Sequence, residues 1–139
     1  MLAVVASAQQ TKNVGPAAAP VPEQIAKAKT VFISNAGADG AVVSYTGGDA
    51  RPYNQFYAAM KSWGRYQLAP APAGSDLVFE LLFADTRLRL RILDPSTHVA
   101  LWTFNVYVKQ GNLQGSRDKN FDDAMDRLMA GVKELADGH

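Results

Sequence analysis

Hydrophobic and polar positions alternate most regularly over residues 75–108, where the pattern predicts three consecutive strands. The first, from Leu77, is apolar on both faces, as is typical of a central strand. The second alternates aliphatic side chains with a polar face that consists of Arg87, Arg89 and Arg91. The third spans 99–108. These strands are joined by two short connections, so they form an antiparallel unit.

Helical spacing of apolar residues occurs twice. One helix is predicted from Arg51, with Pro52 tolerated in its first turn and Gly64 as its stop. The other is predicted to begin near Asp118, which would cap it, and to end at Gly138.

Shorter elements complete the pattern. Strands are predicted at 30–34 and 65–68, and a long loop or weak hairpin through 42–45. The order β-α-β-β-β-β-α predicts an α+β fold, in which two helices pack on one face of a mainly antiparallel sheet of four or five strands.

The N-terminal region differs in composition from the rest. Residues 1–8 end in the small-x-small sequence Ala6-Ser7-Ala8, which resembles a signal-peptidase site and predicts the remnant of an export signal. Residues 9–28 are rich in proline and alanine and predict an arm or linker that could contact a partner. A single domain is expected over 29–139, in a periplasmic or extracellular protein.

Composition excludes several functions. Fourteen basic and 13 acidic residues give a net charge of +1, which does not favour a nucleic-acid partner. The absence of cysteine removes disulfides, thiolate metal sites and cysteine nucleophiles. No apolar run approaches the roughly 20 residues of a membrane span. No cofactor or metal is predicted.

A local resemblance lies in the connection to the third strand. The segments Leu93-Asp94-Pro95-Ser96-Thr97-His98 and Leu101-Trp102-Thr103-Phe104 resemble the LDAxTGxxLWxF hairpin of quinoprotein-type propeller repeats, with His98 in place of glycine. A propeller needs many blades and the chain has one copy, so the resemblance implies only the local turn, with a left-handed residue at its end.

A wider resemblance covers most of residues 30–136. The segments VFIS, PYNQFYAAMKSWGRY, SDLVFEL and ILDPSTHVALWTF resemble small uncharacterised proteins exported by Gram-negative bacteria. This resemblance implies export and an α+β fold but no activity.

The arginine row is the first candidate binding surface. Arg87, Arg89 and Arg91 lie about 7 Å apart along one strand face, where they could bind an anionic ligand or pair with Glu80. The length of the following turn decides where Trp102 lies. A four-residue loop would place it beside the arginines as a stacking surface, whereas a loop of three or five residues would place it in the core, which hydrophobicity favours.

The loop before the last helix is the second candidate. Asn112, Arg117 and Lys119 lie where a helix N-terminus could help to hold an anion, although a simple capped loop explains them as well. Catalytic residues are not predicted, because the two histidines stand in a turn and at the C terminus, without a nucleophile beside either.

These observations predict a non-enzymatic exported domain that acts through protein–protein contacts, as an accessory or structural subunit in the cell envelope. The alternative is a binding module for a small anionic or carbohydrate ligand on the arginine-bearing sheet face.

Overall fold

A computed structural model describes residues 19–138 of the chain. It confirms the α+β class: three helices and five strands, with additional 3₁₀ turns at Gly40–Ser44 and Gly48–Ala50. The elements in chain order are α1 (Glu23–Ala26), β1 (Thr30–Ala38), α2 (Arg51–Trp63), β2 (Gln67–Leu68), β3 (Leu77–Ala84), β4 (Arg87–Leu93), β5 (Ala100–Tyr107) and α3 (Gln114–Ala136).

The five strands form one sheet in the order β2-β1-β3-β4-β5, which places β3 at the centre as its two-sided apolar pattern predicts. The β3–β4 and β4–β5 pairs are antiparallel. The β1–β2 and β1–β3 pairs are parallel, so the sheet is mixed. The parallel pairs require the chain to cross over the sheet between them, and α2 lies in the first of these crossovers.

The helices α2 and α3 pack on one face of the sheet, here called the inner face. Its core contains alternate residues of the central strands together with Phe56 and Met60 of α2 and Phe121 and Leu128 of α3. Burial of these apolar side chains supplies the main stabilising free energy of the fold. The opposite side of the sheet, the outer face, carries the arginines.

The ends of α2 follow the predicted signals. Pro52 stands in its first turn, and Gly64 adopts a left-handed φ of 74° at its C-cap. Glycine has no Cβ, so it adopts left-handed φ values with little conformational energy and is common where helices end.

Three local predictions are wrong. The helix α3 begins at Gln114, one turn before Asp118, and its N-terminus is satisfied by the Ser116 hydroxyl, which accepts from the Leu113 amide. Of the two alternatives for residues 42–45, the weak hairpin is wrong, because the loop contains a 3₁₀ turn at Gly40–Ser44 that is followed by Tyr45. The predicted arm 9–28 contains α1, whose Ile25 is only 2% exposed and belongs to the core, so the packed domain starts before residue 29. The predicted remnant at 1–8 lies outside the described residues.

Candidate functional site

The predicted arginine row lies on the outer face. Because β4 lies between β3 and β5 in the sheet, each arginine has one residue opposite it on each of these strands. The pairs on the β3 side are Arg91 with Glu80, Arg89 with Leu82, and Arg87 with Ala84. On the β5 side Thr103, Asn105 and Tyr107 stand opposite the same three arginines.

The three arginines are not equally neutralised. Arg91 donates from Nη1 to the Glu80 carboxylate at 3.1 Å, and its side chain is 43% exposed. The Arg87 guanidinium lies 5.4 Å from the centre of the Tyr107 ring, a cation–π contact. Arg89 makes no ion pair with any residue of 19–138. The outer face therefore keeps net positive charge beside one carboxylate.

A pocket of about 320 Å³ opens beside the Glu80–Arg91 pair. Phe32 forms an aromatic wall, Val78 forms an apolar floor, and His98 lies at the rim. This volume falls near the lower end of those that hold small ligands. The pocket thus combines an aromatic ring with a cation, a carboxylate and an imidazole.

His98 is held by the turn between β4 and β5. It has a left-handed φ of 61°, as the sequence predicts for the end of this turn. Its amide donates to the Asp94 carbonyl, while the Asp94 carboxylate accepts from the Thr97 amide and hydroxyl and from the Ser96 amide. The Gln24 side chain also donates to this carboxylate, and these hydrogen bonds lower the pKa of Asp94 to about 2. The turn is therefore fixed by an ionised carboxylate.

Trp102 does not join the arginines. It pairs with Ile92, and Phe104 pairs with Leu90, so both rings lie on the inner face, partly buried against the core. A register shift between Ile92 and Leu93 sets this parity. The arrangement is the one that hydrophobicity favours, and Trp102 is removed from the candidate site.

The second candidate region is occupied by internal contacts. The Arg117 guanidinium donates to three backbone carbonyls and to the Gln114 side chain, and Lys119 pairs with Asp123 at 3.0 Å. Both residues lie within α3 rather than before it. Asn112 is exposed on the preceding turn. An anion at this helix N-terminus would therefore compete with contacts that Arg117 and Lys119 already make within the described residues.

The loop before α2 is hydrogen-bonded to α3. Asp118 accepts from the Thr46 amide and hydroxyl, and these hydrogen bonds lower its pKa. Arg51 donates to Asp122 at 2.7 Å and lies over the Phe121 ring. These contacts join α2, the loop and α3, so Asp118 and Asp122 have a structural role.

Sequence reasoning missed one important member of the pocket, Phe32. Its signal is the alternation within β1, where Val31 and Ile33 are buried on the inner face and Phe32 must therefore face outward. Phe32 stands opposite Val78, and Ser34 stands opposite Glu80. The pairing of β1 beside β3 brings them to the arginines, and a strand pattern alone does not specify that neighbour.

Neither a metal-ligand cluster nor a membrane-spanning helix is found in the part of the chain that the structure describes. Residues 19–138 contain no group of three or more acidic or histidine side chains arranged to hold a metal ion. Among the described helices, none has the length and apolarity required to span a membrane.

Comparisons with known proteins give a fold relationship. No family model matches the chain, and no curated protein matches it. The structure is similar to the crystal structure of a protein from Helicobacter pylori described as a neuraminyllactose-binding hemagglutinin homolog. The TM-score is 0.52, the identity is 12%, and the match covers 78% of this chain and 86% of the other. At this identity, the likeness establishes a shared α+β fold.

Proposed function

We propose that the protein is a non-catalytic binding module that holds an acidic carbohydrate on the outer face of its sheet. The observation that carries this proposal is the position of Arg89, an arginine without an ion-pair partner in residues 19–138, next to the Glu80–Arg91 pocket. Two residues along a strand span about 7 Å, roughly the width of one sugar ring.

The pocket chemistry suits such a ligand. A sugar carboxylate accepts two parallel hydrogen bonds from a guanidinium, and a ligand that extends along β4 beyond the pocket would meet that of Arg89. The Phe32 ring offers an apolar surface to the sugar carbons, and Glu80 accepts from hydroxyl groups. The structural neighbour is described as a neuraminyllactose-binding hemagglutinin homolog, and this description supports an acidic sugar as the ligand class.

Protein–protein contact is the second candidate function, and the edge of β5, which has no strand beyond it within residues 19–138, favours it. We also propose that the chain works outside the cytoplasm, on the basis of Ala6-Ser7-Ala8 and the resemblance to exported proteins. N-terminal sequencing of the protein from cell envelope fractions would test export, and a start at Gln9 is the expected result.

Calorimetric titration with sialyllactose and with lactose tests the ligand proposal. We expect sialyllactose to bind about tenfold more tightly, and Arg89→Ala to remove that difference. Lys133→Ala is the matched control, because Lys133 lies over the Trp63 ring on the helical side of the molecule. Equal binding of the two sugars, or full affinity in Arg89→Ala, would show that the proposal is wrong.

A further inference from the structure

The edge strand β5 lacks the usual protection against pairing. Within residues 19–138 its only strand neighbour is β4. The segment Ala100–Tyr107 contains no charged residue and no proline, the two side-chain types that most often protect exposed edges. Val99 and Tyr107, at its two ends, are 57% and 43% exposed. This edge is therefore open to a further strand.

The hydrogen-bonding groups of β5 point alternately inward and outward. The Val108 amide donates to the Thr86 carbonyl at 2.8 Å, so by alternation the even-numbered residues face β4. The outward amides and carbonyls belong to Thr103, Asn105 and Tyr107. In agreement, the Tyr107 carbonyl accepts from the Arg127 side chain of α3. Within residues 19–138, an incoming strand meets the amides and carbonyls of Thr103 and Asn105 and the amide of Tyr107, while the Tyr107 carbonyl is already used by Arg127.

We propose that this edge pairs antiparallel with β5 of a second copy of the chain, forming a two-fold dimer with a continuous sheet. An antiparallel seam brings the Val99 end of one copy beside the Tyr107 end of the other, so both exposed apolar ends are covered. The uncharged strand places no like charges opposite each other. A register with Thr103 opposite Asn105 of the second copy puts the two-fold axis at Phe104.

The charged residues Arg127 and Glu134 of α3 are placed so that the same two-fold axis would bring them together between copies. A Cβ on Gly131 would lie 2.9 Å from Phe104, so the axis passes close to Gly131. Arg127 reaches the β5 edge, and Glu134, seven residues further, projects from the same side of the helix. Two antiparallel copies of α3 that meet at Gly131 therefore place Arg127 of each copy near Glu134 of the other. Ala130 and Gly131 leave room at the crossing.

The proposed axis is perpendicular to the sheet, which keeps both outer faces on the same side. The two β4 arginine rows are then separated by three strand spacings, about 14 Å. The proposed dimer rests on the exposed edge of β5 and on the charged residues of α3. It does not depend on what the outer face binds.

A charge-swap experiment on the full chain tests the dimer. We expect sedimentation equilibrium to show a dimer that Arg127→Glu weakens at least about tenfold and Glu134→Arg weakens similarly, because each change acts twice across the axis. The double variant should recover affinity, since it restores opposite charges between copies. The two positions are too far apart to pair within one helix. Lys133→Glu, which projects toward Trp63, is the control for net charge.

A second experiment addresses the strand directly. Asn105→Pro removes an outward amide without breaking a hydrogen bond to β4, and we expect a folded monomer. On the unaltered chain, the amides of Thr103, Asn105 and Tyr107 should exchange with solvent at least about tenfold more slowly at high than at low protein concentration. A monomer at all concentrations, exchange independent of concentration, or a double charge swap that remains as weak as the single variants would overturn the proposal.

Discussion

Glu80 and Arg91 stand directly opposite each other on β3 and β4 and form an ion pair at 3.1 Å. The pair divides the arginine row, because Arg91 is neutralised while Arg89, two residues along, has no acidic partner in residues 19–138. A single carboxylate therefore sets both the net charge and the polarity of the outer-face pocket.

Removing the Glu80 carboxylate should change ligand binding while leaving the stability of the fold nearly unchanged. Both side chains of the pair are partly exposed, so Glu80→Gln is expected to change the free energy of unfolding by less than about 1 kcal/mol. Retention of an acidic sugar should rise severalfold, because Arg91 loses its competing anion. Urea denaturation and sialyllactose titration measure the two effects. The amide oxygen of glutamine still accepts from ligand hydroxyl groups, so reduced retention at unchanged stability would contradict the expected gain.

Gly131 should tolerate no side chain. An added Cβ would lie 2.9 Å from a ring carbon of Phe104, so Gly131→Ala is expected to destabilise the fold by about 1–3 kcal/mol despite the better helix propensity of alanine. Gly115→Ala, in the same helix with open space around its Cβ, is the matched control and should stabilise by up to about 1 kcal/mol. Equal effects in chemical denaturation would contradict the close contact between α3 and β5.

The turn between β3 and β4 should be improved by glycine. Asp85 and Thr86 both adopt left-handed φ values, 53° and 55°, and a β-branched residue is strained there. Thr86→Gly is therefore expected to stabilise the protein by about 1 kcal/mol. The control is Thr103→Gly, in the extended strand β5, which should destabilise. Thermal unfolding of both variants gives the comparison, and a loss of stability in Thr86→Gly would count against the strained turn.

The Asp94 turn should weaken in acid. The folded pKa of Asp94, about 2, lies below its ordinary value of 3.8, so the carboxylate stabilises the fold above that ordinary value. This contribution is lost as the pH falls from about 4 through about 2, when the folded form must also take up the proton. Asp94→Asn should be less stable than the unaltered chain at neutral pH and should converge with it in acid. A constant difference across this range would exclude the linkage.

Local patterns predicted the α+β class because they depend on near neighbours. The alternation of β4 fixed which side carries Arg89, and Gly64 marked the end of α2. The pocket depends on long-range pairing instead: Phe32 reaches Arg91 only because β1 lies beside β3. The face on which Trp102 lies depended on the register shift between Ile92 and Leu93, since a shift of one position moves a side chain to the other face.

The parallel pairing of β1 with β3 also shapes the order in which the fold forms. Asp76, just before β3, accepts from the amides of Lys29 and Thr30, and Thr30 stands 46 residues away in the chain. The β3–β4–β5 meander closes through short connections instead. Chain closure over longer separations costs more entropy and takes longer. The meander is therefore expected to assemble first, and insertion of β1 between β2 and β3 should limit the refolding rate.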